Sequence, residues 1–114
     1  MSKKDELHIL WTNGDAVTFK KMISMYAYNS LEHEWWEEVT LIIWGSPAEL
    51  AAEDRAVQKE IEILLEKGVH VTACKSCADQ LGATEKLRDL GVEVKYWGQP
   101  LTDVIKSDKK IITI

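Results

Sequence analysis

Val39-Thr40-Leu41-Ile42-Ile43-Trp44 is apolar at every position but one. A strand with one wet face alternates between apolar and polar residues, and this run does not. It reads as a strand buried on both faces, as in a parallel sheet covered by helices. The segments around it must therefore supply those helices and the further strands, and the chain does so in regular alternation.

Residues 7–12 read as a first strand, and Asn13-Gly14-Asp15 as a turn with Asp15 capping the helix that follows. From residue 16 to about residue 34, Phe19, Met22, Ile23, Tyr26, Ala27 and Leu31 recur at helical spacing. After the second strand, residues 39–44, Ser46 suits an N-cap, Pro47 the first helical position, and Glu49 a capping box. That helix is expected to run unbroken through Leu50, Val57, Ile61, Leu64 and Leu65 and to stop at Gly68. Residues 69–73 form the third strand. The next helix is interrupted near Gly82 and stops at Gly91, with Leu87 and Leu90 facing inward. Residues 92–96 alternate cleanly and mark an edge strand. A short helix holding Leu101, Val104 and Ile105 leads to a last strand at residues 111–114. The order βαβαβαβαβ implies one α/β domain over residues 1–114. It is a three-layer αβα arrangement on a five-stranded parallel sheet, flavodoxin-like in outline, with the first two strands central.

Bulk properties remove several function classes. The net charge is −5 and the lysines are scattered, so no basic stripe offers a nucleic-acid interface, and anionic membrane surfaces would repel the chain. The longest apolar run is far too short to span a bilayer, and the N-terminal stretch carries no signal-peptide pattern, so the expected location is cytoplasmic. In that reducing compartment a Cys-x-x-Cys is catalytic or metal-binding more often than a structural bridge.

The only two cysteines are Cys74 and Cys77, placed where the third strand ends and a helix starts. Free backbone N–H groups at a helix start favour thiolate over thiol, which makes the sulfur a better nucleophile. Two other readings stand beside this one: a pair of small buried residues, or a redox dithiol. A thioredoxin-like reading fails because there the pair follows an early strand of a mixed sheet. A structural zinc site takes four ligands, and one chain offers two thiols and scattered histidines, so no metal and no cofactor is expected. His70 shares a strand face with Cys74 but sits about 13 Å along it by strand rise.

In open parallel sheets, ligands bind beyond the carboxyl ends of the strands. Four loops meet there: Asn13-Gly14-Asp15, Gly45-Ser46-Pro47, Cys74 to Cys77, and Trp97-Gly98-Gln99-Pro100. Cys74 and Cys77 are the candidate catalytic residues, and Asn13, Gly14, Lys75 and Gly98 the candidate substrate-binding residues. Lys75 is the cation expected to support a Cys74 thiolate. His8 and His33 read as structural or solvated. Neither GxGxxG nor a P-loop is present to mark a nucleotide site. Five tryptophans are many for 114 residues, and one small domain is not expected to bury both rings of Trp35-Trp36. The exposed ring lies on a helix end or in a subunit interface.

Ala73-Cys74-x-x-Cys77-Ala78-Asp79 after the third strand, Leu81-Gly82, Val92-x-Val94, Trp97-Gly98-x-Pro100-Leu101-Thr102, and Trp44-Gly45 before Pro47 together resemble the DsrE/DsrF-like family over nearly the whole chain. The resemblance implies a three-layer parallel domain and homotrimers or homohexamers. It also implies cytoplasmic sulfur relay, with protein sulfur donors and acceptors, in which the cysteine at position 74 carries sulfane sulfur as a persulfide. Cys77 departs from the single-cysteine loop of the relay proteins and is closer to the stand-alone branch. On that reading the Cys74 thiolate attacks the outer sulfur of a donor persulfide, and Cys77 releases the sulfur by forming a disulfide. The competing expectation is a non-enzymatic homo-oligomeric protein that binds a small anion or nucleotide, with incidental cysteines.

Overall fold

Side chains along the first strand, β1 (Glu6–Trp11), alternate between two faces of a sheet, with Leu7, Ile9 and Trp11 on one and His8 and Leu10 on the other. The computed structural model of the protein describes residues 5–114. β1 joins β2 (Glu38–Ile43), β3 (His70–Cys74), β4 (Glu93–Lys95) and β5 (Lys110–Thr113) in one parallel sheet ordered β4-β3-β2-β1-β5. The three-layer parallel fold is the expected one, and its strand order differs from the 2-1-3-4-5 of flavodoxin. β4 is an edge, and β1 and β2 are interior, as the alternating and continuous apolar patterns imply.

Strand order and handedness together distribute the helices. β1, β2, β3 and β4 step in one direction across the sheet, so right-handed crossovers put their connections on a single face. Those connections are α1 (Ala16–Thr18), a π-helical turn (Phe19–Ser24) and α2 (Met25–Glu32); then α3 (Ser46–Glu53) and α4 (Arg55–Lys67); then α5 (Lys75–Gln80) and α6 (Thr84–Leu90). The return from β4 to β5 runs the opposite way, which places α7 (Gly98–Lys106) on the other face. The main core lies on the first face. Ile9, Trp11, Leu41, Ile43 and Ala73 meet Phe19, Ile23, Ile61, Leu64 and Leu87 there, and the Trp11 and Phe19 rings stack at 4.3 Å.

Several expected boundaries shift for local reasons. The helix after β2 is two helices. Asp54 is extended between them, and its carboxylate accepts from the Val57 N–H at 3.0 Å, capping α4. α3 starts at Ser46 itself, with Gly45 as N-cap and no side-chain cap, so the expected capping box does not form. The break near Gly82 is present between α5 and α6. Asp15 caps the first helix, its carboxylate accepting from the Thr18 N–H at 3.1 Å. Of the apolar residues of α7, Ile105 is 63 % exposed and Val104 is buried.

The second face is split along the strands. Toward their carboxyl ends it is apolar, with Leu10, Ile42 and Cys74 under Trp97 and Leu101. Toward their amino ends it is polar. Glu6, His8, Glu38, Thr40 and His70 line an open cavity of ≈ 360 Å³ with Asp103 of α7 and with Lys109, just before β5. Trp35 and Trp36 stand at that same amino end, beside Asp5, Glu6, Lys109 and Lys110, far from the cysteines. Trp36 packs on the main core and donates its indole N–H to the Tyr26 hydroxyl at 3.1 Å. Trp35 is 54 % exposed and stacks on the exposed His33. No helix among the described residues is long and apolar enough to cross a membrane.

Candidate active site

Cys74 is the last residue of β3 and the N-cap of α5, with φ −69° and ψ 118°. The extended backbone turns into the helix at that residue, so the first N–H groups of α5 lack intrahelical partners beside it. Strand alternation points its thiol to the second face, away from the main core. There it lies against Ile42 and Trp97, with Leu10, Trp44, Cys77 and Leu101 around them. Cys74 is only 5 % exposed, whereas Cys77, one turn into α5, is partly exposed. Both thiols are free.

The roof of this niche is fixed by hydrogen bonding. Trp97 donates its indole N–H to the Thr72 hydroxyl at 2.8 Å. Thr72 lies two residues before Cys74 on the same face of β3 and donates in turn to Glu93 at 3.2 Å. A buried indole N–H needs an acceptor, so this chain locks the ring that covers Cys74. Glu93 also pairs with His70 at 3.3 Å and with Lys95 at 3.4 Å. The Lys95 ammonium lies 4.8 Å over the Trp97 ring. Lys95 sits beside Cys74 in the β3–β4 register.

Cys77 packs against the cluster that holds Cys74, and the Gly45 N–H and the Cys74 thiol both act on its titration. Burial pushes the Cys77 thiol up from its ordinary value. The Gly45 N–H works against that rise, and the neighbouring Cys74 adds to it. Gly45 has φ +83° and ψ −140°, a conformation that disfavours any side chain, and this turn aims its amide at the thiol. Gly14 is held close to the same loop, since a Cβ there would lie 2.9 Å from the Ser46 hydroxyl oxygen. The β1–α1 and β2–α3 loops thus pack against each other next to Cys77.

The expected substrate residues fare differently. Gly14 lines this loop junction, and Gly98 follows Trp97 with open space around it. Asn13 spends its side-chain oxygen on the Asp15 N–H at 2.9 Å and its carbonyl on the Trp11 indole at 2.7 Å, so it shapes its own turn. Lys75 turns to Asp79 at 2.5 Å and lies over the exposed Tyr96 ring, and the Asp79 pair raises its pKa. A carboxylate of α5 therefore holds the cation that was expected beside Cys74. The sequence places Gly45 and Trp97 in rim loops without an individual role, and gives none to Thr72. The period-two placement of Leu10, Ile42, Thr72 and Cys74 on one sheet face was the available signal. Among the described residues, no group of three His, Cys, Asp or Glu side chains is placed to hold a metal ion.

Chemically, the site is a pair of neighbouring thiols, with one sulfur recessed under a fixed aromatic roof and the other at the rim on a backbone N–H donor. No protein-family model matches the chain, and no curated protein does. Solved structures similar to it include the following two. The E. coli ychN protein superimposes with a TM-score of 0.68 at 18 % identity, covering 98 % of this chain and 100 % of its own, which is a likeness of fold. A conserved protein of unknown function, BT1422 from Bacteroides thetaiotaomicron, superimposes with a TM-score of 0.94 at 39 % identity, covering 96 % of this chain and 95 % of its own. At that identity over that length, the chain belongs to the same family as the Bacteroides protein BT1422.

Proposed function

We propose that this protein is a sulfur-relay protein of the sulfurtransferase type, holding sulfane sulfur as a persulfide on Cys74. The observation that carries the reading is the placement of two free, neighbouring thiols at the carboxyl end of β3, one of them sealed in an apolar niche. A persulfide is lost to water-borne thiols and oxidants when exposed, and the Ile42–Trp97 niche limits both. The DsrE/DsrF-like sequence resemblance supports the same chemistry, and the three-layer parallel fold is the one that resemblance implies.

In the loading reaction a cysteine thiolate attacks the outer sulfur of a donor persulfide, R–S–SH. The new S–S bond forms as the donor's S–S bond breaks, and R–S⁻ leaves. In the unloading reaction an acceptor thiolate attacks the outer sulfur of a cysteine persulfide of the chain, and that cysteine departs as thiolate. If Cys77 instead attacks the inner sulfur of the Cys74 persulfide, a Cys74–Cys77 disulfide forms and HS⁻ leaves, with the sulfane sulfur reduced and the two thiols oxidised.

Incubation with glutathione persulfide should add about 32 Da, one sulfur atom, to the chain, localised to Cys74 once exchange is complete. A chain that gains no sulfur, or gains it equally when both cysteines are replaced by serine, removes the reading and leaves a binding protein with incidental cysteines.

We further propose that the protein works as a homo-oligomer in the cytoplasm. The support is the Trp35 ring, 54 % exposed at the amino end of the sheet. The trimer or hexamer expected of it comes from the family resemblance.

A further inference from the structure

Cys77 and Cys74 differ in access in a direction that the sequence does not reveal. Cys74, first in the chain and at the helix start, is 5 % exposed and roofed by Trp97, which is locked to Thr72 at 2.8 Å. Cys77 is partly exposed, packs against the cluster that holds Cys74, and has the Gly45 N–H on its sulfur. A donor thiol compound must place its outer sulfur in line with the attacking thiolate, with its own leaving sulfur beyond. Cys74 is recessed in the cluster with Ile42 and Trp97 and leaves little room for such an approach, while Cys77 is partly exposed. The Gly45 N–H favours negative charge on Cys77 and so offsets part of the rise that burial imposes on this thiol.

We propose that sulfur enters and leaves through Cys77 and that Cys74 is the inner thiol that stores it, an assignment that rests on the persulfide reading above. In the first step the Cys77 thiolate attacks the outer sulfur of R–S–SH, giving Cys77–S–SH and R–S⁻. In the second, the Cys74 thiolate attacks the outer sulfur of Cys77–S–SH, giving Cys74–S–SH and restoring the Cys77 thiolate. The proton that Cys74 gives up goes to R–S⁻ through solvent, and no external oxidant or reductant is consumed. Cys77 packs against the cluster that holds Cys74, so the second step needs no approach through solvent. The pair thus works in the reverse chain order from a dithiol whose first cysteine meets the substrate.

The test is rapid-quench loading with glutathione persulfide, trapping with iodoacetamide, and peptide mass mapping. Cleavage after Lys75 separates the two cysteines onto different peptides. In the wild-type chain the added sulfur should be found first on Cys77 and then on Cys74. Cys77→Ser should load Cys74 at least about tenfold more slowly, because the remaining thiol is recessed, and Cys77→Ala should match it. Cys74→Ser should keep the sulfur on Cys77. Cys77 is partly exposed, so both of its variants are expected to fold, and their thermal melting checks that they do. Wild-type loading rates in both Cys77 variants, or sulfur found on Cys74 before Cys77, overturn the assignment while leaving Cys74 a carrier. A wild-type chain that gains no sulfur at either cysteine overturns the carrier reading itself.

Discussion

Two titratable side chains sit at opposite ends of the second sheet face, and burial moves both. Burial raises the Cys77 thiol, so its thiolate is scarce at neutral pH. Its alkylation by iodoacetamide should quicken about tenfold per pH unit and still be rising at pH ~8.5, the ordinary thiol value. A plateau below that pH contradicts the burial seen here. His8 lies in the polar half of the face and is 6 % exposed, and its Nδ1 has no hydrogen-bond partner. Burial lowers its pKa, helped by Lys109 and slightly by His70. Glu6 and a hydrogen bond to the Lys110 backbone oppose this, and Glu38, Lys95 and Asp103 complete the charges lining the cavity. A histidine with a depressed folded-state pKa binds fewer protons folded than unfolded. The stability it preserves is present above the unfolded value of about 6.5 and is lost as pH falls through that value toward the folded one. Urea midpoints should therefore drop between neutral pH and pH ~5.5, and His8→Leu should flatten that drop. An identical pH profile in the variant counts against this role for His8.

At the scale of elements, the joint between α3 and α4 shows how one side chain ends one helix and begins another. Asp54 is extended at φ −93° and ψ 114°, and its carboxylate caps the Val57 N–H. The apolar periodicity of residues 50–65 is helical throughout, which is why a single helix is expected from it; the cap is legible only as an Asp three residues before Val57. Asp54→Ala should cost about 1 kcal/mol, the usual worth of an N-cap, measured by chemical denaturation. A loss below a few tenths would mean that α3 and α4 fuse without penalty. The Lys75–Asp79 pair is a second local signal of this kind. Its spacing of four residues within α5 gives a bridge that diverts the lysine from Cys74, and that spacing is visible in the sequence.

At the scale of the whole molecule, the sheet separates two surfaces of different character. The cysteines occupy the carboxyl ends of the strands and the Trp35–Trp36 corner the amino ends. If Trp35 lies in a subunit interface, the thiols are not themselves closed off by that contact. Light scattering at micromolar concentration should give a multiple of the single-chain mass, and Trp35→Ser should lower it. Trp36 is unsuitable for that test because it packs on the core and bonds Tyr26, so its replacement would unsettle the fold. A wild-type protein with single-chain mass ends the oligomer proposal. An intact oligomer in Trp35→Ser ends only the role given to that ring.

The sequence by itself determined the five strands and their alternation with helical connections, the parallel sheet, the edge position of β4, the break near Gly82, and the location of Cys74 and Cys77 where a strand meets a helix. All of these follow from local periodicity, which records which side of each element is apolar, and from chain punctuation by glycine, proline and capping residues. Tertiary structure decided the rest. Periodicity says that Cys74 and Leu10 each face one side of a strand. It does not say that α7 alone covers that side, because this depends on the β4-β3-β2-β1-β5 order and the right-handed return. The recessed position of Cys74, the Trp97 roof and the Gly45 amide on Cys77 all come from loops far apart in the chain. Access to a thiol is set by what lies across from it in space, and no spacing along the chain encodes that distance.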